Sequence, residues 1–526
     1  MADLTREEVE EKLEEYAELL KAQAEAEAEE DEFVDELEDD EDIDEEDDEE
    51  AEEIADDEEE GEVAEPEDTE LDDSETAEAG TDLEVVEEPE EVVPGPLENI
   101  DLSGLDLSGL DFYGISLDGS NLTDCNLRAS DLSHCSLDTA DLTGAQLKEA
   151  NMEAASIRAG ELVSTNFEDA NVENADFSGS NLKFAVFQNA NLRGTKFVQA
   201  DLSEANFEEA NMTRTDFSKA TLISTQIQNA DVSRSKFNGA NLSNANLTDS
   251  KINMAGFFES NLQNTQFVRV QLKGTKLCGA NLTRANFSRA DLTSADLSEA
   301  IVHHVEFTRA KLDGAILRRT DLKGSNLSEA TLSVSDLTDA SLVDVNLRGA
   351  DLGRIKLVSA KLSGAQLSGA NLNKAKMEKV DLTGADLSGA ELAGADCRNA
   401  QFEGTDLSRA NLSEAMLTNA NLNNAFLLGA DLRKADLSSA QLENAQLAGA
   451  KFTRSNLQNA NFKNCDLRRT NLEYANLTGA SLESSDLTGS KMGEAICKNA
   501  NFTSAKMDSI DTTDTNFEGA KGVSIS

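Results

Sequence analysis

Several things are scarce in this 526-residue chain, and each shortage removes a class of protein. No apolar run approaches the roughly 18 residues that a membrane-spanning helix needs, so no transmembrane span is expected. The opening "MADLTREEVE" is acidic where a secretory leader would be basic, so the chain is read as soluble and cytoplasmic. Six cysteines (Cys125, Cys135, Cys278, Cys397, Cys465, Cys497) show no CxxC pair and no dense spacing, which fits free thiols rather than disulfides or zinc. There is no HExxH, no phosphate-binding glycine loop and no nucleophile elbow. Catalytic, cofactor and metal sites are accordingly expected to be absent, and the chain is read as not an enzyme.

Proline is almost missing, and its four copies (Pro66, Pro89, Pro94, Pro96) all fall in the first hundred residues. That stretch also holds 51 acidic residues against 3 basic ones, whereas the remaining 426 residues hold 54 against 41. Both signals place a boundary near residue 97. Within the first part, Thr5 and Glu8 stand at capping-box spacing, and Val9, Leu13, Tyr16 and Leu20 form one stripe, predicting an amphipathic helix over 1–28. Residues 29–98 carry too much charge and too few apolar groups to offset chain entropy, so an acidic, disordered extension is expected. It reads as a solubilising brush or as an arm for a basic partner, with Phe33, Val34, Leu37, Ile43 and Ile54 as sparse contact residues.

From Ile100 onward the chain repeats every five residues, as in "ADLTGADLSGAELAGAD". Of the 84 positions numbered in 2 or 7 from Leu102 to Phe517, 70 are Leu or Phe. Positions in 0 or 5 are mostly Ala, Ser, Thr or Cys, the residue between is usually Asp or Asn, and the last two are polar. A helix advances ~100° per residue and would smear a five-residue pattern around its surface, so helix is excluded. In extended chain the small residue and the Leu/Phe point the same way, and a continuing strand would flip at every second repeat because five is odd. The chain must turn at the two polar positions. Each pentad becomes one inward-facing side and a corner, and the sides close into coils that stack as a solenoid over 99–521, leaving 522–526 as its end.

The repeat A(D/N)LXX closely resembles the pentapeptide-repeat family. That resemblance implies a right-handed quadrilateral parallel β-helix, an all-β fold with four pentads per coil. Twenty-one coils at ~4.8 Å make a rod of about 100 Å. The expected core ladder includes Leu102, Leu107, Phe112, Leu122, Phe167, Phe207, Leu242, Phe287, Leu327, Leu372, Leu407, Leu447, Phe462, Leu487 and Phe517. Leu105, Leu110 and Ile115 occupy positions normally held by small residues and predict a differently packed first coil. Some family members resemble B-form DNA in width and charge and bind type II topoisomerases, protecting against quinolones.

Two function classes follow. One is a structural, scaffolding rod that presents spaced surfaces and an acidic arm to protein partners, with no direct nucleic-acid binding. The other is a DNA-mimicking inhibitor or protector of gyrase, for which residues 101–180 supply a net charge of −12 but residues 181–520 only −2. The doublet His303–His304 sits at two outward corner positions with Ile301 just before it, and the register puts Arg284 and Lys323 one coil away. Cations there disfavour a metal, so Ile301, His303 and His304 are read as a candidate protein contact.

Overall fold

A computed structural model describes residues 2–35 and 97–524, the side chains of Leu20 and of residues 23–35 excepted. The acidic segment expected to be disordered lies largely outside these residues. The chain divides into two units, Met1–Glu10 with Gly95–Ser526, and Glu11–Pro94. One helix, α1 (Arg6–Asp35), is present among the described residues. It opens with the capping box: the Thr5 amide donates to Glu8 Oε2 at 2.6 Å and the Glu8 amide donates to Thr5 Oγ1 at 3.3 Å.

Parallel bridges join each residue of the 1/6 positions to the one twenty ahead, from Asp101 with Asn121 to Asn501 with Lys521. A shift of twenty residues is four pentads, so the coil is four-sided and the fold is a right-handed quadrilateral parallel β-helix. We label the sides A, B, C and D by the columns that start at Asp101, Asp106, Asp111 and Ser116.

Nearly every corner repeats one hydrogen-bonded turn. The Ala145 amide donates to the Leu142 carbonyl at 2.9 Å, closing a four-residue turn across the two polar positions. The second of these has positive φ, as at Gly104 (72°), which is the type II signature. Non-glycine residues adopt it too, even the β-branched Val334 at 55°. Such strain, on the order of 1–3 kcal/mol, persists only where surroundings over-determine the backbone. Here they do: the Val334 amide donates to the Gly353 carbonyl of the next coil at 3.0 Å.

Inside, Leu/Phe and the small residues are buried along nearly the whole rod. Most buried Ser, Thr and Cys in the small positions, Ser490 being an exception, reach a carbonyl of the preceding coil or of their own turn, as Thr165 Oγ1 does to Leu142 (2.8 Å) and Cys135 Sγ to Phe112 (2.7 Å). That satisfies a polar group which would otherwise be costly to bury. Phenylalanines concentrate on sides B and D between residues 167 and 307 and stack from coil to coil, Phe167 on Phe187 at 4.5 Å and Phe177 on Phe197 at 5.1 Å.

The first coil has backbone groups with no earlier coil to pair with, and the N-terminal segment supplies partners. Asp3 N donates to the Asp101 carbonyl (2.5 Å), the Asp101 amide donates to Asp3 Oδ2 (3.0 Å), and the Arg6 guanidinium donates to the carbonyls of Asp106 (2.9 Å) and Ser108 (3.2 Å). Val9 and Leu97 are fully buried, Ile115 is buried, and Leu105 and Leu110 are half-buried at this end. At the other end Thr512 and Phe517 are half-exposed, since among the described residues no further coil stacks on them.

Candidate interaction surfaces

The Asp/Asn column points outward, yet it does more than face water. Asp131 Oδ1 accepts the Ser133 amide at 3.0 Å and Asn151 Nδ2 at 3.1 Å. Asn171, Asn191 and Asn211 then each donate to the asparagine one coil earlier at 3.0–3.1 Å. An amide donates and accepts at once, so asparagines propagate the ladder. A carboxylate only accepts, so Asp131 starts it. The sequence signal was present, as a run of Asn behind an Asp at twenty-residue spacing, but spacing alone does not show which atoms meet.

Most ion pairs of the rod follow three offsets. Some run straight along the rod over twenty residues, as Arg158 with Asp138 (2.5 Å) and Arg269 with Asp249 (2.5 Å). Some close within a pentad, as Arg433 with Asp431 (2.6 Å). Others cross diagonally over eighteen residues, as Lys183 with Asp201 (3.1 Å) and Arg318 with Asp336 (2.8 Å). The diagonal corrects the reading of the histidine doublet. His303 Nε2 lies 2.7 Å from Asp321 Oδ2, so its partner is a carboxylate on the next coil rather than the cations one coil away. The cause is that the first corner residue leans toward the following coil's Asp/Asn column. Burial pushes the Asp321 carboxyl up, and the hydrogen bond from His303 and the Lys323 amide outweigh it, so its pKa is lowered. His304 stands at the positive-φ position (54°), and Ile301 is 43% exposed. Among the described residues, no group of three or more His, Cys, Asp or Glu converges on a metal-binding point.

Fourteen of the fifteen core-ladder residues named from the sequence are fully buried, and the fifteenth, Phe517, is half-exposed in the last coil. Five cysteines are buried and Cys278 is partly exposed at a corner. A thiol at a corner is open to reagents, but burial first, and then the hydrogen bond to Asp296 and its charge, push the Cys278 thiol up to about 11. Burial holds Cys135, Cys397, Cys465 and Cys497 at about 12. Since the thiolate is the nucleophile, alkylation of the native protein at pH 8 is expected to label less than one thiol per chain, against all six after unfolding. Rapid native labelling of two or more thiols, read by mass spectrometry, would contradict these positions.

Two half-open surface hollows sit at corners. One is lined by Ser413, Glu414, Arg433, Lys434, Arg454 and Tyr474, and its neighbour by Tyr474, Glu494 and Asp511. Lys434 pairs with Glu414 at 2.8 Å, Arg454 lies over the Tyr474 ring at 5.5 Å, and the Tyr474 hydroxyl donates to Glu494 at 2.9 Å. No helix among the described residues is long and apolar enough to cross a membrane.

This is a four-sided solenoid whose variable chemistry is confined to its corners. The chain belongs to the pentapeptide repeat family. The family model described as pentapeptide repeats (8 copies) matches residues 97–158, 225–303 and 306–519 in overlapping or abutting stretches, and a second, described as a pentapeptide repeat region, matches 160–237. Among solved structures, HetL, a pentapeptide repeat protein involved in heterocyst differentiation regulation from the cyanobacterium Nostoc sp. strain PCC 7120, is 31% identical. The match covers 47% of this chain and 92% of HetL with a TM-score of 0.17. Rfr23 from the cyanobacterium Cyanothece 51142 is 26% identical, over 31% of this chain and 90% of its own, with a TM-score of 0.11. Full-length QnrB1, a plasmid-mediated fluoroquinolone resistance protein, is 19% identical, over 30% and 90% of the two chains, with a TM-score of 0.14. No curated protein matches the chain.

Proposed function

We propose that this chain is a non-enzymatic scaffolding rod that mediates protein–protein interaction, with its acidic N-terminal part as a second interacting element. The observation that supports this reading most is the unbroken backbone ladder from the first coil to Lys521. It holds outward side chains at one-coil spacing along four sides, giving extended surfaces of the kind that solenoids use for binding. Crosslinking of the full-length protein in a lysate, followed by mass spectrometry, is expected to join partner proteins to outward lysines of the rod such as Lys273 and Lys356. Crosslinks confined to residues 1–35, or none above an albumin control, would sink the reading. A second reading, mimicry of DNA toward a type II topoisomerase, is favoured only by the −12 net charge of residues 101–180. Unaffected gyrase supercoiling at high molar excess removes it.

A further inference from the structure

Charge summed by side conceals how it is arranged by corner. Each corner is bounded by the two polar positions of one side and the Asp/Asn column of the next. Over the coils spanning residues 193–456, the corner between sides C and D carries 14 Lys/Arg against 7 Asp/Glu. The other three corners over the same coils sum to −5, −1 and −1. A chain of net charge −61 therefore bears one basic ridge. Its crest is the positive-φ column, where Arg214, Arg234, Arg354, Lys374, Lys434 and Arg454 stand exposed. Among the described residues, Arg214, Arg234, Arg354 and Lys374 form no salt bridge. The flanking acids are already engaged, as Asp216 is by Lys236 (3.4 Å) and Asp336 by Arg318 (2.8 Å).

The same ridge exposes apolar groups. Met254 (65%), Val334 (56%) and Tyr474 (48%) stand on its crest column, and Met416 (40%) and Ile316 (38%) on its side-D flank. A phosphate backbone would gain nothing from these side chains, whereas a polypeptide with its own apolar residues buries them favourably. The rod's overall negative charge also opposes a partner as densely charged as nucleic acid more than one whose charges are diluted.

We propose that the ridge between sides C and D is the docking surface for an extended acidic polypeptide segment, of another protein, with apolar side chains spaced among its carboxylates. From Arg214 to Arg454 the crest rises twelve coils, about 58 Å, the length of about 17 extended residues. Pairs of cations on adjacent coils alternate with the apolar groups along that line. The proposal rests on the reading of the rod as a protein-binding surface and adds to it the face and the partner's chemistry.

The test uses the full chain and a fluorescent synthetic 20-residue peptide with glutamate at two of every three positions and leucine at the third, followed by anisotropy. The expected result is binding that weakens at least tenfold in the quadruple variant Arg214→Glu, Arg234→Glu, Arg354→Glu, Lys374→Glu, with an unchanged melting profile. The pair Arg284→Glu, Lys323→Glu, at the corner between sides A and B, should leave binding unchanged. Equal loss from both variants, or no binding at low salt, overturns the proposal. So does tighter, ridge-dependent binding of a 20-nucleotide oligo(dT) or of vesicles with anionic lipid, which would give the ridge to another class of partner. If crosslinked partners map to other faces while the quadruple variant changes nothing, this inference fails and the scaffold reading stands.

Discussion

Replacing Phe187 with alanine is expected to cost the solenoid about 3–5 kcal/mol, the range for deleting a fully buried aromatic side chain. Phe187 is sandwiched on side B between Phe167 (4.5 Å, 2° between planes) and Phe207 (5.0 Å, 2°). It also meets the side-D stack edge-on, at Phe197 (5.7 Å) and Phe177 (6.2 Å). Four rings thus lose a neighbour at once, and the tightly packed walls cannot collapse onto the space because the backbone ladder fixes the coil's width. In a solenoid each coil contacts only its neighbours, so the damage should stay local. Hydrogen exchange is therefore expected to speed up in the coils carrying residues 160–210 and to stay unchanged in those carrying 400–450. Phe187→Leu, which keeps most of the volume, should cost under about 1.5 kcal/mol. A loss below 1 kcal/mol in the alanine variant, or a uniform change along the rod, would show that the stack does not carry the core there.

Much of this fold is legible in the sequence because burial and turn geometry both act within five residues. Leu242 is inward and Asn241 outward by the same argument that places any other pentad, and the structure agrees. Contacts between coils are less legible, since they depend on where side chains lean. A spacing of twenty residues correctly pairs Asn171 with Asn151, but it misplaces His303, whose partner Asp321 lies on the eighteen-residue diagonal. The role of residues 3–9 was hidden for a different reason. Asp3 and Arg6 read as ordinary members of an acidic helix, and only the unpaired backbone of the first coil gives them something to satisfy. The basic ridge was also present in the sequence. It disappears when charge is summed over flat sides, because its cations straddle a corner: Lys276 belongs to side D, Lys273 and Arg234 to side C.

Asp336→Asn is expected to remove about 2 kcal/mol at neutral pH and to do so with a distinctive pH dependence. Asp336 is only 7% exposed, a rare burial for a carboxylate. Burial pushes its pKa up. Opposing this, its Oδ1 accepts the Thr338 hydroxyl (2.6 Å) and amide (3.1 Å), its Oδ2 accepts Arg318 Nη2 (2.8 Å) and Nε (2.9 Å), and Lys356 Nζ lies 3.5 Å away. The donors win, and the carboxyl is lowered from 3.8 to about 2. A folded-state pKa below the unfolded one means that the stabilisation is complete above about pH 4 and is lost as pH falls through 2. The gap between wild type and variant should therefore be full at pH 6, shrink to roughly half by pH 3, and close near pH 2. Arg318 and Lys356 remain 60% and 47% exposed, so removing the carboxylate leaves them to water rather than stranding buried charge. Hydrogen exchange of residues 315–357 at pH 6, 4 and 3 reads this locally, where the twenty-one coils need not unfold together. A gap that does not narrow with acidity would mean that Asp336 acts by packing, because a side chain that merely fills space is indifferent to its own protonation.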